Sequence, residues 1–163
     1  SHVDGEYAAR RAACTEACRL LGIDALRDVD DLDAALAALP ELEGQRVRHV
    51  VTENQRVLAA VEALSSDDFP RLGDLMTRSH ASMRDDYEIT APTVDLAVEV
   101  ALAHGALGAR MTGGGFGGCV LALVHAGDVV DISSAVEAAF SEAGFDAPVS
   151  FLGRPSPGAR RLA

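Results

Sequence analysis

Residues 108–124 read Gly-Ala-Arg-Met-Thr-Gly-Gly-Gly-Phe-Gly-Gly-Cys-Val-Leu-Ala-Leu-Val, and this stretch decides the fold. Five of the six residues from Gly113 to Gly118 are glycine, so the backbone there can adopt conformations that other residues avoid. The apolar run from Cys119 to Val124 lacks a helical period and is typical of a buried strand. We therefore expect a β-hairpin. Its glycine turn is either a strained structural turn or a place where backbone N–H groups face an anion such as phosphate.

Two nucleotide-binding glycine motifs must be compared with this stretch. The phosphate loop ends in Gly-Lys-Ser/Thr, whereas Gly118 is followed by Cys119, so this motif is excluded. The dinucleotide fingerprint Gly-x-Gly-x-x-Gly does match at Gly113, Gly115 and Gly118. That motif must open a helix, however, and an apolar strand is expected after it. An NAD site thus remains the weaker alternative, and a strand at 119–124 would exclude it.

Length and charge restrict the classes of protein. The chain has 163 residues, of which 48% are hydrophobic, and residues 1–163 are expected to form a single domain. The formal net charge is −11 with scattered arginines, which argues against a nucleic-acid or anionic-membrane surface. The apolar runs are far shorter than the roughly 20 residues that span a bilayer, so no membrane partner is expected.

The cysteines and histidines form no metal-ligand pattern. The cysteines are Cys14, Cys18 and Cys119, an odd number without Cys-x-x-Cys spacing. We interpret them as buried free thiols in a reducing compartment, which favours a cytoplasmic protein. No metal site is expected, because the five histidines are scattered along the chain.

Hydrophobic periodicity and capping residues predict a helical first two thirds and a mixed last third. Apolar residues from Val47 to Leu64 recur at helical spacing and predict one long amphipathic helix. The predicted helices are 4–21, 30–39, 41–64, one capped by Asp67 or Asp68, 92–104 and 128–143. The predicted strands are 107–111, 119–125, 149–152 and, as a further possibility, 159–162. This order indicates an α+β fold with a small, mostly antiparallel sheet covered by helices.

Three separated segments resemble the galactokinases within the GHMP small-molecule kinases. Residues 110–119, Arg-Met-Thr-Gly-Gly-Gly-Phe-Gly-Gly-Cys, are similar to the third signature motif of the superfamily, and Phe116 is the galactokinase form of it. Residues 79–87, Ser-His-Ala-Ser-Met-Arg-Asp-Asp-Tyr, and residues 6–14, Glu-Tyr-Ala-Ala-Arg-Arg-Ala-Ala-Cys, are similar to two further galactokinase segments. Arg48-His-Val-Val51 also fits, so the resemblance extends over essentially the whole chain.

The resemblance implies the C-terminal domain of a galactokinase, with a ferredoxin-like sheet. The family's other sugar segment, its ATP-phosphate loop, the catalytic Asp and its partner Arg have no counterpart in these residues. The implied activity is phosphorylation of D-galactose to galactose 1-phosphate by ATP and Mg²⁺, performed together with an N-terminal half. No catalytic residue is expected in this chain, which alone should be inactive and should bind neither ATP nor Mg²⁺ stably.

Two site assignments are implied by the resemblance. Tyr7 would hydrogen-bond a hydroxyl of the sugar, whereas an unassigned tyrosine is more often buried and bonded to backbone. The glycine loop, residues 112–118, would support the nucleotide-phosphate loop of the other half; a purely structural hairpin is the alternative. The loop consists of Thr112, Gly113, Gly114, Gly115, Phe116, Gly117 and Gly118.

Other polar residues are expected to be structural. His80 is interpreted as a hydrogen-bonded core histidine. The pair Asp85-Asp86 follows a helix and is expected to top a turn or to pair with arginines such as Arg84. Arg10 and Arg11 are expected on a solvated helix face. A different class of function also stays open, a stand-alone sugar-binding or regulatory module without catalysis.

Overall fold

The computed structural model describes residues 2–154 and 158. This part of the chain contains six α-helices, a 3₁₀ turn and one two-stranded antiparallel sheet. In chain order the elements are α1 (His2–Leu21), the 3₁₀ turn (Leu26–Asp28), α2 (Leu32–Ala38), α3 (Glu41–Ser65), α4 (Phe69–Asp85), α5 (Pro92–Ala103), β1 (Gly108–Thr112), β2 (Cys119–Leu123) and α6 (Val129–Ala143). The α+β class and the predicted helices are confirmed, and the sequence analysis missed the 3₁₀ turn.

The helix ends lie where the capping residues predict them. After α1 the chain turns at Gly22, whose φ of 68° is in the left-handed region. The carboxylate of Asp68, not that of Asp67, caps α4 by accepting from the Arg71 N–H at 3.1 Å. Pro92 lies in the first turn of α5, where its missing N–H costs nothing.

The first three helices enclose one hydrophobic core. Ala17 of α1, Ala35 of α2 and Val47 of α3 are buried together. The predicted amphipathic helix is confirmed in α3, but its apolar face continues onto the surface. Side chains in its second half are 53–68% exposed, namely Val57, Leu58, Val61 and Leu64.

A second core lies between the hairpin and the last two helices. Val98 and Ala101 of α5, Ala109 of β1 and Ile132 of α6 are buried against one another. Antiparallel pairing of the strands places Thr112 opposite Cys119, so residues 113–118 form the turn. The predicted hairpin is confirmed.

Helix α4 crosses β1 at a pair of glycines. A Cβ atom on Gly73 would lie 2.1 Å from the carbonyl oxygen of Leu107, and one on Gly108 would lie 2.1 Å from that of Gly73. No side chain fits at such distances, so both glycines are required for the close approach of helix and strand.

The predicted third strand is wrong. Residues 149–152 form neither strand nor helix, and Val149 and Phe151 are 89% and 83% exposed. Alternating apolar residues predict a strand, but a strand also needs a hydrogen-bonding partner. At the outer edge of β1 the Met111 N–H already donates to His80 of α4. The further strand at 159–162 falls outside the described residues.

No helix in the described part of the chain is long and apolar enough to cross a membrane.

Candidate functional site

The glycine loop has a backbone that few other sequences could adopt. Gly113, Gly115, Gly117 and Gly118 have φ values between 94° and 122°. Phe116 also has a positive φ, 60°, which is uncommon for a residue with a side chain. The run of glycines is thus required by the turn geometry itself.

One side of the loop packs on the connecting segment, residues 86–91, between α4 and α5. The Phe116 N–H donates to the Ile89 carbonyl at 2.6 Å. A Cβ atom on Gly115 would lie 2.9 Å from the Cβ of Ile89, so a larger residue there would displace the loop. The other side is open, because Cβ atoms on Gly113, Gly114 and Gly117 would meet no atom within 4 Å.

Tyr7 lies beside this loop, although more than a hundred residues separate them in sequence. It is 62% exposed on α1, which excludes the buried, backbone-bonded alternative. A cleft of about 180 Å³, named here the α1 cleft, separates α1 from the loop. Its lining residues are Tyr7, Arg10, Arg11, Cys14, Tyr87, Ile89 and Gly114. The structure thus brings the predicted sugar residue and the predicted loop to a single cleft.

Arg10 does not lie on a solvated helix face, and that prediction is wrong. Its side chain is only 15% exposed. The guanidinium donates to the carbonyl oxygens of Tyr87 at 2.9 Å and Glu88 at 2.7 Å, and it pairs with Glu6 at 2.9 Å. The two carbonyl acceptors belong to a distant segment, so charge patterning could not reveal them. Arg11 is exposed, as predicted.

Tyr87 forms the floor of the α1 cleft and was missed as a cleft residue. Its hydroxyl lies 3.6 Å from the Cys14 sulfur, and its ring stacks on His49 at 4.5 Å between centroids. Burial, together with the Cys14 contact, raises the pKa of Tyr87 to about 12. The phenol is therefore neutral and cannot serve as a base near pH 7. The sequence signal that could have indicated Tyr87 is its position at the end of the 79–87 segment.

His80 is a core histidine, as predicted. It is 3% exposed, its Nδ1 accepts from the Met111 N–H at 3.1 Å, and its Nε2 lies 3.0 Å from Asp95. Burial lowers the pKa of His80 in spite of the Asp95 carboxylate. The imidazole therefore holds the strand that leads into the glycine loop and is not available as a ligand.

Glu53 of α3 also contacts this strand, through Arg110. Its carboxylate accepts from Ser79 at 2.6 Å, Arg56 at 2.7 Å and Arg110 of β1 at 3.3 Å. Burial alone would raise the pKa of Glu53, but these hydrogen bonds and charges hold it below its ordinary value. No sequence motif marked this residue.

The Asp85-Asp86 pair is structural, as predicted. Asp85 accepts two hydrogen bonds from Arg84, at 2.8 and 3.0 Å. Asp86 caps α4 and accepts from the Ser82 hydroxyl at 2.8 Å. In residues 2–154 and 158, no group of three or more His, Cys, Asp or Glu side chains could hold a metal ion.

The NAD alternative is excluded. Cys119–Leu123 is a strand paired with β1, and the dinucleotide motif requires a helix at this point. The glycine loop is therefore a hairpin turn beside a cleft.

This fold has counterparts among known proteins. The pattern of the family described as "GHMP kinases C terminal" matches residues 60–142, from the end of α3 nearly to the end of α6. The chain belongs to this family, the C-terminal domain of the GHMP kinases.

Galactokinases from several bacteria are similar to this chain over nearly its whole length. That of Streptomyces coelicolor is 54% identical over an alignment that covers 99% of this chain and 43% of its own length. That of Mycobacterium tuberculosis is 49% identical over 160 residues, 97% of this chain and 44% of its own length. The chain thus spans less than half the length of these curated relatives.

A solved structure has the same fold. Lactococcus lactis galactokinase complexed with galactose matches with a TM-score of 0.83 and 36% identity, over 88% of this chain and 39% of that one. The α+β architecture described above is therefore that of a galactokinase C-terminal region.

Proposed function

We propose that this chain is part of an ATP-dependent galactokinase, which transfers the terminal phosphoryl group of ATP to the anomeric hydroxyl of D-galactose. The observation that carries the proposal is the α1 cleft of about 180 Å³, which is lined both by Tyr7 and by Gly114 of the glycine loop. Membership of the GHMP kinase C-terminal family and the identity with named galactokinases support the same conclusion.

Tyr7 is proposed to hydrogen-bond a hydroxyl of galactose. A phenol offers one donor and one acceptor on a stiff ring, which suits a sugar hydroxyl. Its exposure of 62% leaves the hydroxyl free to meet a ligand. The substrate would thus lie between α1 and the loop.

The glycine loop is proposed to support the nucleotide-phosphate loop of the N-terminal half. Its open face at Gly113, Gly114 and Gly117 lets another backbone or a phosphate approach closely. Its fixed face at Gly115 and Phe116 keeps the loop in place without reorganisation during the reaction. Positioning of this kind accounts for most of the catalysis in phosphoryl transfer.

Mg²⁺ is not held by this chain under the proposal. The described side chains form no carboxylate cluster, so they do not fit a Mg²⁺ site. The base and the residues around the ion would come from the N-terminal half, and the isolated chain is proposed to be inactive.

We also place the protein in the cytoplasm. Cys14, Cys18 and Cys119 are free thiols, as expected for a reducing compartment. Their predicted burial is wrong, because Cys119 is exposed and Cys14 and Cys18 are only partly buried.

The test measures ADP release by the full-length protein that contains this chain. We expect release to depend on galactose and on ATP, and none from residues 1–163 alone. Loss of one hydrogen bond in Tyr7→Phe should raise the KM for galactose about tenfold and leave the KM for ATP unchanged. The control Thr15→Ala, on the exposed face of α1, should change neither constant.

Three outcomes would contradict all or part of the proposal. Galactose-independent or absent ADP release from the full-length protein would overturn the kinase function. Galactose binding without any release would instead support the stand-alone binding module. An unchanged KM for galactose in Tyr7→Phe would remove Tyr7 from the sugar site.

A further inference from the structure

We propose that Arg10 is a positioning residue that couples the sugar side of the α1 cleft to the glycine loop. The binding of both substrates therefore depends on this one side chain. The inference rests on the proposed function, because it assigns the two sides of the cleft to sugar and nucleotide. It concerns contacts that are all made within this chain.

Arg10 lies one helical turn after Tyr7, so both side chains project from the same face of α1. Two of its nitrogens, Nε and Nη2, donate to the consecutive carbonyls of Tyr87 and Glu88. The third, Nη1, pairs with Glu6, which lies one turn back on α1. A single planar group therefore fixes the Tyr7 turn of α1 to the connecting segment.

The next carbonyl of the connecting segment holds the glycine loop. Ile89 accepts from the Phe116 N–H at 2.6 Å and packs where Gly115 leaves no room for a side chain. The guanidinium carbon of Arg10 also lies 5.6 Å from the centroid of the Phe116 ring, within the range of a cation–π contact. Arg10 thus touches α1, the connecting segment and the loop together.

The connecting segment has a second, independent anchor. Arg46 of α3 is buried and donates to the Asp86 carbonyl and to the Glu88 carboxylate. Loss of Arg10 should therefore leave the segment folded and only disconnect α1 from it. This separates positioning from a general structural role.

Arg10→Lys keeps the charge but loses the planar fork that reaches two carbonyls at once. In the full-length protein we expect it to raise the KM for galactose and the KM for ATP, each by about threefold or more, since either substrate meets a displaced wall. The matched control is Arg19→Lys, which alters an exposed arginine of the same helix paired with Glu16. It should change neither constant.

A merely structural role would give a different result. It would lower the fraction of folded enzyme, and thus the apparent kcat, with both KM values unchanged. That result, or a change in one KM only, would overturn the proposal.

Hydrogen exchange tests the coupling without relying on activity. In the full-length protein, Arg10→Lys should speed amide exchange in residues 112–118, and Arg19→Lys should not. If the wild type proves not to be a galactokinase, this measurement still decides the case. Unchanged exchange in the glycine loop would then refute the role of Arg10.

Discussion

His80 lies on α4 with both ring nitrogens in hydrogen bonds, and it is almost fully buried. Because Nδ1 accepts from the Met111 N–H, the proton of the neutral ring is on Nε2, which donates to Asp95. Asp95 in turn accepts from Thr90 at 3.1 Å. Met111 immediately precedes the glycine loop, so a neutral imidazole is part of what fixes the loop.

Protonation of buried histidines should make stability depend on pH. Burial lowers the pKa of His80, the charges of Arg84 and Arg110 lower it further, and the Asp95 carboxylate opposes this shift. Burial likewise lowers the pKa of His49. Near their ordinary value of 6.5 the unfolded chain therefore binds protons that the folded chain does not. We expect the free energy of unfolding to fall as the pH drops from 7.5 to 5.5.

Urea unfolding at several pH values checks this prediction. His80→Gln should have a lower free energy of unfolding than the wild type at pH 7.5. On acidification this free energy should fall less steeply than in the wild type, the slopes differing by at most about 1.4 kcal/mol per pH unit. His104→Gln, at the exposed end of α5, is the control and should keep the wild-type slope. Carboxylates such as Glu53, whose pKa is lowered, act in a separate window below 4.5. Stability that is constant or rises on acidification would contradict the prediction.

At the scale of the elements, the crossing of α4 and β1 leaves no room for a larger side chain. Gly73→Ala would place a methyl group 2.1 Å from the Leu107 carbonyl oxygen, so helix and strand must move apart. We expect a loss of about 3 kcal/mol or more in the free energy of unfolding. Urea unfolding followed by circular dichroism measures it.

A second helical glycine provides the matched control. Gly44 lies inside α3, and a Cβ atom there would make only ordinary contact, 3.5 Å from Leu36. Because alanine has a higher helix propensity than glycine, Gly44→Ala should be neutral or stabilising by up to about 1 kcal/mol. Equal losses in the two variants would show that the crossing is not as close as described.

The elements also show how far a sequence predicts this structure. Helix ends and the hairpin follow from local residues such as Gly22, Asp68 and the glycine run, so they were predicted. The strand predicted at 149–152 is not formed, because alternating apolar residues do not show whether a pairing partner exists. The contacts of Arg10 in the α1 cleft could not be predicted either, because its carbonyl acceptors are 77 and 78 residues away in sequence.

At the scale of the whole molecule, the buried clusters account for only part of the apolar surface. The second half of α3 and residues 149–152 expose large apolar side chains, whereas Phe140 of α6 is 7% exposed. Surface of this kind adds little to the stability of the chain that carries it. Its presence accords with a chain that spans 43% of its Streptomyces coelicolor relative.

Two phenylalanines allow this distribution to be measured. Phe140 packs edge-on against Phe145 at 5.8 Å, and Phe140→Ala should cost about 3–5 kcal/mol through the cavity that it leaves. Phe151 is 83% exposed, so Phe151→Ala should change the free energy of unfolding of this chain by less than about 0.5 kcal/mol. Urea unfolding of both variants is the test, and a similar cost for both would mean that residues 149–152 pack after all. The same pair in the full-length protein is informative, because a cost at Phe151 that appears only there must come from the additional polypeptide.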